Sequence, residues 1–87
     1  MNTFRLTVST PDGSAFEGSA EALFVRGSEG DLAILAGHIP FVTGVKEGVC
    51  RIKPDGEAEI SAEIKGGLLS VSEGGSAVLL TSSFAKK

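Results

Sequence analysis

Glu57-Ala58-Glu59-Ile60-Ser61-Ala62-Glu63-Ile64 is an unbroken alternation of polar and apolar side chains. Successive side chains of a β-strand point to opposite faces, so this spacing makes a strand with one buried and one wetted face. On a helix the same apolar residues would scatter around the axis. Phe4, Leu6 and Val8 alternate with Arg5, Thr7 and Ser9 in the same way. Three other stretches, residues 20–25, 31–35 and 78–80, are short and more continuously apolar. They read as strands covered on both sides or turning a barrel-like corner. Pattern and spacing predict that Phe4, Leu6, Val8, Phe24, Ile34, Ile60, Leu69 and Leu79 are buried.

Between these stretches the chain is punctuated by turn chemistry. Pro11-Asp12-Gly13 and Pro54-Asp55-Gly56 each combine a preset φ, a side chain that bonds its own backbone and a residue free to take positive φ. Glu73-Gly74-Gly75 is a third turn, and Gly27, Gly30, Gly37, Gly44 and Gly48 divide the middle third into short pieces. Nine or ten short strands at close spacing, with no internal repeat or linker, predict an all-β sandwich or barrel forming one domain over residues 1–87. A domain of 87 residues buries only about 60–65% of the surface its unfolded chain exposes, so it has little core to spare. Its five Phe, with no Trp or Tyr, leave most of the packing to aliphatic side chains.

The net charge of −3 and the absence of a basic stripe leave no electrostatic footprint for nucleic acid. No apolar run approaches the roughly 20 residues of a membrane-spanning helix, and residues 1–9 lack the basic-then-apolar order of a secretory signal. Any membrane association is therefore expected through a partner. The single Cys50 cannot form an internal disulfide, in keeping with a reducing compartment.

Catalytic and metal-ligating sets are hard to assemble. His38 is the lone histidine; with Asp31 and a Ser or Cys50 it would need mutual hydrogen-bond reach, and no strand–Gly-x-Ser-x-Gly–helix elbow is present. It reads as a turn histidine whose ring packs beside Pro40 and bonds a backbone group. One His and one Cys are not a zinc set, and Glu57, Glu59 and Glu63 read as a solvated strand face. Gly27-Ser28-Glu29-Gly30 lacks the Lys-Ser/Thr and the helix of a phosphate loop. Gly66-Gly67 reads as a bulge or a close approach of strands. No catalytic residue, metal site or cofactor is expected.

Gly27-Ser28-Glu29-Gly30-Asp31-Leu32-Ala33-Ile34, followed by Gly37-His38-Ile39-Pro40 and Thr43, resembles the signature of the ε subunits of F-type ATP synthases. Thr10-Pro11-Asp12-Gly13, Phe16-Glu17-Gly18, Lys46 with Gly48 and Arg51-Ile52, and Gly66-Gly67-Leu68-Leu69-Ser70-Val71 match further elements of that family, in order, over residues 3–81. The resemblance implies a flattened β-sandwich of two roughly five-stranded, mostly antiparallel sheets. It implies a non-catalytic central-stalk (rotor) subunit of a proton- or sodium-translocating ATP synthase, coupling rotation of the membrane c-ring to the γ subunit. Carried over by position, Ser28, Glu29, Gly30 and Asp31 contact the c-ring, and His38, Pro40 and Thr43 contact γ. The expected location is peripheral, on the cytoplasmic face of a bacterial membrane. The isolated chain is expected to be a monomer, with an exposed apolar patch near residues 38–43. The two-helix part that usually follows in the family has no counterpart in this sequence, where Thr81-Ser82-Ser83-Phe84-Ala85-Lys86-Lys87 stands instead. The competing reading is a standalone β-sandwich module that binds a ligand or a protein. Sugar sites usually show aromatic platforms, and a chain without Trp or Tyr has few.

Overall fold

The computed structural model describes residues 2–87, and every regular element among them is a strand. The strands are β1 (Phe4–Thr10), β2 (Gly13–Gly27), β3 (Gly30–Leu35), β4 (Phe41–Val45), β5 (Gly48–Pro54), β6 (Ile60–Ile64), β7 (Gly67–Val71), β8 (Ala77–Thr81) and β9 (Phe84–Lys86).

The long strand β2 organises the molecule. Residues 13–20 pair antiparallel with β1, residues 22–27 with β3, and residues 20–24 with β5 on the opposite edge. A register shift at Ala20/Ala22 marks the change of partner, as an irregularity does where a strand turns a corner. One layer therefore contains the first half of β2 with β1, β8, β7 and β4; the other contains its second half with β3, β5, β6 and β9. Counting β2 in both, each layer has five strands. All pairings are antiparallel except β1 with β8, where Leu6–Ser9 run parallel to Ala77–Leu80. A single bridge between Gly27 and Val45 returns the first layer to β2.

Period-two alternation sends one side chain in two between the layers. Phe4, Leu6 and Val8 from β1, Leu23 and Val25 from β2, Ile34 from β3, Ile52 from β5, Leu69 from β7 and Leu79 from β8 meet in one core. Burying an aliphatic side chain of this size favours folding by roughly 1.5–3 kcal/mol. Six of the eight predicted core residues are buried; Phe24 and Ile60 are only half-buried. Phe24 lies between Leu23 and Val25, which both point inward, so its ring is forced to the outer face, where Arg51 covers it at 4.7 Å. Ile60 opens β6, and Ala58 before it is exposed, so the strand begins later than the alternation suggests.

A further expectation is corrected. Residues 31–35 and 78–80 are not covered on both faces. In β3 only Ile34 is buried, with Leu35 51% exposed; in β8 Leu79 is buried and Leu80 is 48% exposed. The chain also adds β9, which pairs with β6 through Ala62–Lys86, Glu63–Ala85 and Ile64–Phe84. Gly66-Gly67 is a close approach, as read from the sequence. A Cβ on Gly67 would overlap the carbonyl of Leu80, and the Thr81 hydroxyl donates to the Gly66 carbonyl at 2.7 Å.

Candidate functional site

The β2–β3 hairpin closes through Ser28-Glu29, with Gly27 opposite Gly30. Gly30 has φ +131°, a conformation that glycine takes without steric cost. A side chain on Gly27 would collide with Leu32 at 2.8 Å, so the hairpin is tight by composition. Its base is tied to β4: the Ser28 N–H donates to the Gly44 carbonyl at 3.1 Å, and the Lys46 N–H donates to that of Arg26 at 2.7 Å. Ser28, Glu29, Gly30 and Asp31 are all exposed, and neither carboxylate has an ion pair or side-chain hydrogen bond among the described residues. The fold thus holds two exposed carboxylates on a turn whose base is tied to β4 by backbone hydrogen bonds.

His38, Ile39 and Pro40 form the exposed link into β4. The His38 ring stacks at a tilt on Phe41, with centroids 5.0 Å apart, and its Nδ1 lies 3.2 Å from the Ile39 carbonyl. The expected backbone contact is present, and the packing partner is Phe41. Thr43 behaves differently. It shares the inward parity of Phe41 and Val45, is half-buried, and gives its hydroxyl to the Gly44 carbonyl at 3.3 Å. His38 and Pro40 are therefore neighbours on the surface, and Thr43 turns away from them.

Between Pro40 and Gly44 the outward residue is Val42, 63% exposed. It begins a surface that the sequence reading did not assemble. Cross-strand pairing sets Val42 beside Ser70, Ser70 beside Val78 and Val78 beside Thr7. The adjacent row runs Gly44, Leu68, Leu80, Ser9. These eight positions carry no charge, and the charged Arg5 on β1 and Glu17, opposite Thr7 on β2, stand exposed at the margin of the same face. Ile39 is 73% exposed, and Leu68 and Leu80, at 45% and 48%, carry the exposed apolar surface beyond residues 38–43. Leu68, Leu80, Pro11 and the backbone of Gly66-Gly67 line an open groove of about 540 Å³ at one end of this face. Contiguous exposed apolar surface of this kind marks interaction sites in soluble proteins. Part of the signal is present in the sequence as the apolar run Val78-Leu79-Leu80, which reads there as a strand covered on both sides or turning a corner.

Among the described residues no three of His, Cys, Asp and Glu converge to hold a metal ion. Cys50 is 1% exposed, and burial pushes its thiol from 9.0 up to about 11, so it is protonated at neutral pH. What the structure presents is an exposed acidic turn and, on the first layer, a largely uncharged outer face.

Residues 3–85 match the family described as ATP synthase, Delta/Epsilon chain, beta-sandwich domain. The chain is 44% identical over 71 residues to an ATP synthase epsilon chain of Bacillus velezensis, covering 82% of this chain and 53% of that protein. It is 42% identical over 71 residues to the epsilon chain of Bacillus subtilis, with the same coverage of each chain. Over 82 residues it is 39% identical to that of Ruminococcus albus, covering 94% of this chain and 60% of the relative. The chain thus spans about half the length of the curated relatives it matches. Among solved structures, a chain of the Euglena gracilis mitochondrial ATP synthase superposes with a TM-score of 0.91 at 23% identity, covering 99% of this chain and 54% of its own. One from the Tetrahymena thermophila enzyme gives 0.79 at 16% identity, covering 93% and 64%. At these identities the solved structures speak to the fold alone, and the fold, the ordered motifs and the sequence relatives agree: this chain belongs to the β-sandwich domain family of ATP synthase delta and epsilon chains.

Proposed function

We propose that the chain is the sandwich of an ε-type rotor subunit, a non-catalytic part of an F-type ATP synthase that couples c-ring rotation to γ. The largely uncharged face containing Val42, Leu68 and Leu80 carries this reading. A largely uncharged outer face next to an exposed acidic turn suits a part held between two partners. The relatives are named as epsilon chains, and the two solved assemblies are titled as F1/c-ring and central stalk/c-ring complexes. In this reading γ covers the apolar face, reached from His38 and Pro40 and extending across Leu68 and Leu80. Thr43 supports that face from behind. Ser28, Glu29, Gly30 and Asp31 meet the polar loops of the c-ring. The location is peripheral on the cytoplasmic side of a bacterial membrane, and the free chain is a monomer. The task is mechanical, and a close-packed sandwich of low compressibility transmits torque with little slip.

Replacing Leu68 and Leu80 together by Ser tests the γ-facing assignment. Both side chains are about half exposed, so the isolated double variant should lose at most about 1 kcal/mol of stability. Co-purification with γ should fall at least tenfold, since apolar anchors in an interface commonly cost more than 1 kcal/mol each when removed. Retention of γ at the wild-type level by a folded double variant would reject the assignment.

A further inference from the structure

The outer face of the second layer carries a pair of arginines that the rotor reading does not use. Register between β2 and β5 sets Phe24 opposite Arg51. Two residues on, Arg26 points to the same face, a diagonal neighbour of Arg51 at a spacing that long side chains bridge. Both line a cleft of about 350 Å³ whose apolar wall includes Phe24, Ala33 and Val49. Arg51 is held by its stack on the Phe24 ring, 4.7 Å from guanidinium carbon to centroid, which orders its planar fork before any ligand arrives. Its ion pair with Glu59 is long, 3.7 Å, and half exposed. Arg26 has no ion pair among the described residues, although Asp31 stands opposite it on β3 and Glu63 faces Val49 from β6.

We propose that this cleft binds a small oxyanion, phosphate or carboxylate, between the guanidinium groups of Arg26 and Arg51. A guanidinium fork matches two oxygens of either group, and two arginines lining one cleft from adjacent strands suit a ligand with three or four acceptor oxygens. The carboxylates of Asp31, which lines the cleft, of Glu59, paired with Arg51, and of Glu63, opposite Val49, oppose the ligand's charge. They set the affinity low, with a Kd on the order of millimolar, and make it sensitive to salt. Asp31 joins the cleft to the acidic turn, so an occupied cleft would change the charge presented beside Glu29.

The test is a titration of the chain with inorganic phosphate and, separately, with acetate, followed by amide chemical shifts at constant ionic strength. Saturable shifts confined to β2, β3 and β5 are expected. The phosphate and acetate arms show which oxyanion geometry is preferred. Arg26→Gln and Arg51→Gln should each weaken binding at least fivefold, while Glu59→Gln, which frees Arg51, should tighten it about two- to fivefold. Arg26 is exposed on a strand surface, so its variant keeps the wild-type spectrum elsewhere and reports on the site without loss of fold. Absence of saturable shifts with both anions, or binding indifferent to Arg26→Gln and to Glu59→Gln, would overturn the assignment.

Discussion

Cys50 illustrates how burial alone fixes the chemistry of a residue. Its side chain lies in the core from β5, and desolvation raises its thiol from 9.0 to about 11. At pH 8 only about one thiol in a thousand is ionised in the folded chain, so alkylation by iodoacetamide should be roughly 100-fold slower than in denaturant. The same shift has a consequence for stability. The folded pKa is raised, so the folded state holds the proton more tightly than the unfolded one. The contribution is complete below pH 9 and is lost as pH rises through about 11. At about 1.4 kcal/mol per unit the loss is at most 2–3 kcal/mol. Urea melts at pH 8 and pH 11 should differ by this amount more in the wild type than in Cys50→Ala; equal differences would show that the thiol does not titrate with unfolding. Little of this could be read from the sequence. A lone cysteine between Val49 and Arg51 takes its environment from which parity of β5 faces inward, and Gly48 and Val49 before it do not decide that.

Strands carry the more instructive contrast between sequence and structure. β1 and the later part of β6 were legible because alternation names both the element and its buried face. β2 was legible as a strand but not in its facing: Ala20, Ala22, Leu23, Phe24 and Val25 are all apolar, and the irregularity at Ala20/Ala22 changes which parity is inward. That is why Phe24 emerges on the surface. β8 misleads in a different way. Apolar residues on both faces of Val78-Leu79-Leu80 signal cover, but within this chain only Leu79 receives it. β9 carries no pattern of its own, since three residues are too few to show a period; it exists because β6 offers it an edge. The glycine pair before β7 was legible as a close approach, and it yields a prediction at this scale. In Gly67→Ala the new methyl group meets the Leu80 backbone, which cannot rotate away as a side chain would. The β7–β8 pairing must open locally, at a cost of about 1–3 kcal/mol. Thermal melting of Gly67→Ala should drop accordingly, and a melting point within a degree of wild type would show that the strands have room to spare.

For the molecule as a whole, the acidic turn and the largely uncharged face are separable surfaces with separate tests. Ser28 to Asp31 was legible through its ordered motif, but the spread of the apolar face across four strands was not, because it joins residues as distant in sequence as Val42, Leu68 and Leu80. Charge reversal at the turn, Glu29→Lys with Asp31→Lys, touches no side-chain bond of the fold. It does place a lysine opposite Arg26, and the like-charge pair should cost about 0.2–1 kcal/mol. Across an interface the same change can cost several kcal/mol. Melting should therefore shift little while co-purification with the c-ring membrane sector falls sharply; a collapse in melting with normal docking of the folded fraction would make the turn structural. The parallel pairing of β1 with β8 matters before any partner is met. It joins segments about 70 residues apart in the chain. On a translating ribosome the first strand emerges with only its hairpin partner and waits for about 70 further residues before its other edge is filled. Pairings this distant form slowly, and unpaired edges in the interval invite aggregation. Nascent chains halted before residue 77 should therefore be sensitive to protease, and resistance should arise in one step once β8 has cleared the exit tunnel.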